Sequence, residues 1–102
     1  MDYSQWEYRE DLYKKTVEKY GMEHQIMKAV EEMAELIKAL CDIRQGRCDV
    51  WDVAEEMADV HIMLEQLMLE QLMLIFDCGD QIDRKMMEHL SRLHYRVQQE
   101  DL

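Results

Sequence analysis

The sequence predicts an all-α protein, a four-helix bundle that assembles as an oligomer. Three observations carry this. The chain of 102 residues has no proline and only three glycines, and Ala, Leu, Met, Glu, Gln, Lys and Arg dominate it, a composition that favours helices over strands. Its apolar residues recur in steps of three and four, the helical period. Ten methionines and an apolar share of 48% are generous for one domain of this length, which buries about 65% of its unfolded surface. The surplus apolar surface points to a second copy.

Ser4-x-x-Glu7 reads as a capping box opening a first helix. Trp6, Tyr13, Val17 and Tyr20 occupy its apolar positions, and Gly21 closes it. A second helix is expected from about Glu23 to about Arg44, with Ile26, Val30, Met33, Ile37 and Leu40 as its apolar stripe and Gly46 ending it. Asp49 is the expected N-cap of a third helix, with Asp52 in its first turn. Val53, Met57, Val60, Leu64 and Leu67 form that helix's stripe. Gly79 then breaks the chain, and Asp80 caps a fourth helix with Asp83 at its third position. Ile82, Met86, Met87, Leu90, Leu93 and Val97 supply its apolar face, and Gln98 to Leu102 are expected to fray. All of this reads as one domain over residues 1–102.

One segment stands apart. Met63-Leu64-Glu65-Gln66-Leu67 is repeated at once as Met68-Leu69-Glu70-Gln71-Leu72. Five residues turn a helix by roughly 500°, which leaves the copies about 140° apart. The reading is a long third helix, apolar around much of its circumference and buried in an oligomer; a bulge or bend is the alternative.

Composition also excludes. A formal net charge of -11 with no basic run speaks against a nucleic acid polymer as partner, since phosphate contacts need clustered Lys and Arg. The three cysteines, Cys41, Cys48 and Cys78, are odd in number and lack Cys-x-x-Cys spacing. That disfavours a disulfide framework or structural zinc and suits a cytoplasmic location. Met-Asp-Tyr-Ser-Gln-Trp-Glu lacks the basic and apolar segments of a signal peptide, and no apolar run reaches bilayer length, so no membrane is expected. There is no Gly-rich phosphate loop. None of His24, His61, His89 and His94 completes the Glu-x-x-His of a di-iron bundle. Ser4, Thr16 and Ser91 sit in no nucleophile setting, and His61 is expected on a helix face near the core.

Chemistry concentrates in two acidic clusters. Glu31-Glu32-x-x-Glu35 is followed, after 20 residues, by Glu56-x-x-Asp59. Positions three apart on a helix lie close on one surface. Glu32 and Glu35 border the second helix's stripe, on a row that Gln25 and Lys28 continue; Asp52, Glu56 and Asp59 make a comparable row on the third helix. Antiparallel packing of these helices faces the two rows across a cleft. Carboxylates crowd together only around a positive charge, and hard oxygen ligands suit Mg²⁺ or Mn²⁺. Solvated helix faces are the competing explanation.

Glu31-Glu32-Met33-Ala34-Glu35-Leu36 with Glu55-Glu56-Met57-Ala58-Asp59-Val60 resembles the MazG-like nucleotide pyrophosphohydrolases of the all-α NTP pyrophosphatase superfamily. Their signature is Glu-Glu-x-x-Glu, a variable gap, then Glu-x-x-Asp. The resemblance covers about Gly21 to Leu67 and, more loosely, the fourth helix. It implies a Mg²⁺-dependent homo-oligomer, tetramer favoured over dimer, that cleaves a nucleoside triphosphate to the monophosphate and pyrophosphate in house-cleaning of non-standard or surplus nucleotides. A base-specific dUTPase or dCTPase of the same superfamily, or a non-catalytic helical interaction module, are the alternatives. Carried onto this chain, the metal ligands are Glu32, Glu35, Glu56 and Asp59, with Glu31 in the outer shell or as the water-activating base. Lys85 and Arg92 match the basic positions of the family's last helix, and Lys28 is a third cation for the phosphates. Trp6, His24 and Gln25 are candidates for base recognition, Trp6 having a core role as its competing explanation. The asparagine that many relatives carry on the last helix has no counterpart, since this chain contains no Asn.

Overall fold

The computed structural model describes residues 2, 4–69 and 81–100, and those residues are helical with no strand. The helices are α1 (Trp6–Tyr20), α2 (Met22–Arg44), α3 (Val50–Leu67) and α4 (Gln81–Glu100). The chain divides after Leu69 into two compact units, the first holding α1 to α3 and the second α4.

The boundaries follow from local chemistry. α1 begins at Trp6 with Gln5 as N-cap and no side-chain cap. The expected capping box is not formed, because Ser4 lies one residue too early and its hydroxyl bonds Asp2 Oδ1 at 2.5 Å. Gly21 closes α1, its N–H donating to the Val17 carbonyl at 2.8 Å. Its φ of +88° is open to glycine and strained for other residues, so α2 starts at once at Met22. Gly46 repeats the device at φ +70°. Asp49 then caps α3 as expected: its Oδ1 accepts from Trp51 N at 3.0 Å and Asp52 N at 3.1 Å, and Asp52 Oδ2 accepts from Asp49 N at 3.0 Å.

α3 ends at Leu67, with Met68, the first residue of the second five-residue copy, as its C-cap. Met68 N–H donates to the Leu64 carbonyl at 3.0 Å, and Leu69 N–H to the Gln66 carbonyl at 3.2 Å, both within a closing turn. Continued as helix, the second copy would face about 140° away from the first. The turn instead tucks Leu69 inside, at 3% exposure. Glu70 to Leu72, Cys78, Gly79 and Asp80 lie outside the described residues. α4 stays helical to Glu100, beyond the point where fraying was expected.

In the first unit α2 and α3 are joined by a short turn and pack antiparallel, as the pairs Gln25–Gln66 and Ala39–Cys48 require. α1 lies against the end of α3 through Tyr13 and Arg9, which both reach Glu65. Which face of α2 turns inward departs from the sequence reading. Its buried residues are Gln25, Ala29, Glu32 and Ala39, the row that carries the acidic motif. Val30 and Ile37 of the expected stripe are 53% and 63% exposed, and Met57 on α3 is 56% exposed. Alanines at 29 and 39 let α3 approach closely; Val30, Ile37 and Leu40 project outward, while Ile26 and Met33 of the same stripe are half-buried. α4 likewise buries nothing, with Met86, Leu90, Leu93 and Val97 all exposed. Among the described residues no helix is long and apolar enough to cross a membrane.

Candidate metal centre

Three of the expected ligands meet. One carboxylate oxygen each from Glu32 and Glu35 on α2 and Glu56 on α3 lie within 4.8 Å of one another. Antiparallel packing produces this, because the inward row of α2 and the Asp52–Glu56 row of α3 face each other midway along the hairpin. Asp59, one turn further along α3, is outside the trio and acts on it as charge: it is among the groups that raise the Glu56 carboxyl.

The electrostatics are unfavourable as they stand. Glu32 is only 8% exposed, and its Oε2 is buried with no hydrogen-bond partner. Glu56 Oε2 is orphaned in the same way. Burial pushes the Glu56 carboxyl above the ordinary glutamate value, and the charges of Glu35 and Asp59, a hydrogen-bond contact with Glu35, and the charge of Glu32 push the same way. Lys28 is the cation paired with the trio among the described residues: its Nζ lies 3.2 Å from Glu32 Oε1 and 3.5 Å from Glu31 Oε2. That pairing leaves the second oxygen of Glu32 unanswered. A buried, unpaired carboxylate oxygen is costly, and two of them facing a third carboxylate make a site a divalent cation fits.

Clefts flank the trio on both sides along the α2–α3 groove. Toward the interhelical turn, a cleft of about 440 Å³ is lined by Glu35, Lys38, Asp42, Arg47, Cys48 and Glu56 among others. Lys38 Nζ pairs with Asp42 Oδ2 at 3.0 Å; Arg47 is exposed and carries its charge into the same cleft. Toward the start of α2, a cleft of about 470 Å³ is lined by Tyr13, Tyr20, His24, Gln25, Lys28 and Gln66 among others. There the Tyr20 and His24 rings stack, with centroids 5.2 Å apart and an interplanar angle of 23°.

Gln25 and Lys28 therefore do share a cleft with His24, next to the carboxylates. Trp6 is not on its wall. It sits at the opposite end of α1, 43% exposed, edge-on to Tyr13 at 6.4 Å and under the Arg9 guanidinium at 5.5 Å. Lys85 and Arg92 belong to α4 in the second unit, where both turn toward Glu88 Oε2, at 3.2 and 3.8 Å. His61 is 75% exposed rather than near the core, 3.6 Å from Glu65. The sequence reading missed Lys38 and Arg47 as cations beside the carboxylates. The signal was there: once the hairpin is drawn antiparallel, the last turns of α2 and the connecting turn fall next to Glu35 and Glu56.

A polar lattice underlies the other cleft. Tyr13 OH donates to Glu65 Oε2 at 2.6 Å; burial, then that bond, push the phenol up to about 12. Arg9 Nε lies 3.1 Å from the same oxygen, a charge contact. Compared with known protein families, with curated proteins and with solved structures, the chain matches none.

Proposed function

We propose that the chain is a Mg²⁺-dependent nucleoside triphosphate pyrophosphohydrolase, with Mn²⁺ able to replace Mg²⁺. The observation that carries this reading is the trio Glu32, Glu35 and Glu56, with buried and unpartnered oxygens on two of its members. Its donor set is all hard oxygen, the preference of these ions, and an open groove leaves room for phosphate and water to complete the coordination. Glu32, Glu35 and Glu56 would hold the ion, with Asp59 contributing charge or a further ligand. When bound, the ion neutralises the acidic wall against an anionic substrate and acts as a Lewis acid at the phosphate.

The protein's own groups divide the remaining work. Glu31 lies outward of the trio, paired with Lys28, where a carboxylate can take a proton from water. Lys38 and Arg47 supply positive charge where it develops on departing pyrophosphate. Lys28, Gln25 and His24 lie at the other end of the groove, so the nucleoside extends toward Tyr20 and the phosphates toward the turn. Lys85 and Arg92 remain candidates for the phosphates. The outward apolar residues Val30, Ile37, Leu40 and Met57 support a homo-oligomer in which a second copy covers them, tetramer favoured over dimer.

Incubation with a panel of ribo- and deoxyribonucleoside triphosphates and Mg²⁺ tests the reading. It requires monophosphate and pyrophosphate as products. Folded protein that turns over no member of the panel would leave the second reading, a helical interaction module, which the same exposed stripes support.

A further inference from the structure

The cleft beside the carboxylates contains a hydrogen-bond relay whose direction is set at one end. It begins at the main-chain carbonyl of Tyr13, which can only accept. Gln66 Nε2 donates to it at 3.2 Å. That fixes the Gln66 amide, so its Oε1 is the atom that accepts from Gln25 Nε2, at 2.9 Å. Gln25 is fixed in turn, and its Oε1 faces His24 Nδ1 at 2.8 Å. A carbonyl oxygen only accepts, so Nδ1 must carry the hydrogen. Gln66 and Gln25 are 2% and 5% exposed; a reversed amide in either would bury two like groups against each other without a bond.

We propose that this relay sets His24 as a hydrogen-bond acceptor for the ligand's ring system. With Nδ1–H committed to Gln25, neutral His24 keeps its lone pair on Nε2. The ring lines the cleft and stacks on Tyr20, so a planar heterocycle has an aromatic wall and one acceptor at its edge. The chemistry selected is an exocyclic amino group, as on cytosine or adenine. Such a group sits at the rim of the base and reaches Nε2 freely. The imide N–H of uracil or thymine is flanked by two carbonyl oxygens, whose lone pairs would approach the same nitrogen lone pair. Leaving one acceptor poorly paired in a partly exposed site corresponds to about a tenfold loss in affinity. Gln66 touches no ligand in this scheme; it is a positioning residue acting through Gln25. The tautomer follows from the relay alone, while the assignment to a nucleobase rests on the nucleotide reading above.

The experiment separates these layers. Long-range ¹H–¹⁵N correlation spectra of the full chain report which His24 nitrogen bears the hydrogen. The neutral wild-type ring should show Nδ1 protonated and Nε2 bare, and Gln25→Leu should release it to a mixture of tautomers. Neutral His24 protonated at Nε2 in the wild type would overturn the proposal outright. The second arm titrates dCMP, dAMP, dUMP and dTMP in the presence of Mg²⁺, following the His24 Nε2 resonance. The amino-bearing monophosphates should bind about tenfold tighter, with dCMP against dAMP telling the two bases apart. His24→Phe keeps the stacked ring and should erase the preference, with affinities of wild type and variant both read by calorimetry. Equal binding of all four, or binding of none, would overturn the base assignment. Loss of triphosphate hydrolysis alone would count against the proposed activity and leave the tautomer and monophosphate results standing.

Discussion

Replacing Gln66 by leucine probes the relay as a structural element. Gln66 is the most deeply buried polar side chain described, at 2% exposure, and it joins α1 to α2 through its bonds to Tyr13 O and Gln25 Nε2. Leucine fills similar space but accepts nothing, which orphans the Gln25 amide in a site only 5% exposed. An orphaned buried donor costs about 1–3 kcal/mol. The Tyr13 carbonyl lies inside α1 and keeps its helical partner, so it adds little. Better burial of the apolar leucine returns about 1 kcal/mol, which leaves a net loss of up to about 2 kcal/mol. For a unit of this size each kcal/mol lowers Tm by about 4–8 °C. Removing both amides, Gln25→Leu with Gln66→Leu, should cost less than the sum of the single changes, because an apolar pair leaves nothing unsatisfied. Urea denaturation of all four proteins, read at constant m-value, closes the cycle. Strictly additive single costs would refute the claim that the two amides depend on each other.

Three further outcomes follow from the same geometry. In metal-free protein the Glu56 carboxyl is raised on folding, so the folded chain holds a proton that the unfolded chain has already released; stability therefore falls as pH rises from the ordinary glutamate value through the raised one. Glu56→Gln should flatten that part of the pH profile and raise the neutral-pH Tm without metal, measured by thermal melts across pH. Deleting Met68 to Leu72 restores Met and Leu directly after Leu67, because Met73-Leu74 repeats the same pair; the closing turn of α3 is re-made from identical residues, and stability in urea and Mn²⁺ affinity should each change by less than about 0.5 kcal/mol. Arg47→Ala and Lys38→Ala remove exposed cations from the cleft by Glu35 and Glu56, so pyrophosphate inhibition should weaken about tenfold for the pair with Tm unchanged, as read by inhibition kinetics and melts.

Helix content was legible because its signals are local. Gly21, Gly46 and the Asp49–Asp52 box set the ends of α2 and the start of α3 within a residue or two of where they fall. The carboxylate trio was legible too, since three-residue spacing on two helices joined by a short turn leaves few ways to pack. The inward face of α2 was not. Periodicity marks the apolar stripe but does not say whether it meets the same chain or another, and in this fold Val30 and Ile37 look outward while Ala29, Glu32 and Ala39 look in. The relay was illegible for a different reason. Gln25 and Gln66 are 41 residues apart in sequence, and glutamine carries no hint that its partner is another buried glutamine. The end of α3 was missed because the duplicated segment has uniform helical propensity, while burial of Leu69 is a tertiary effect.

Calorimetric titration of the metal-free wild type and of Glu56→Gln with Mn²⁺ and Mg²⁺ asks whether Glu32, Glu35 and Glu56 together hold a divalent ion. Either ion should bind the wild type saturably and lose at least about an order of magnitude in affinity once one of the three converging carboxylates is neutralised. Equal affinity in the two proteins, or no binding to the wild type, would contradict a shared ion site.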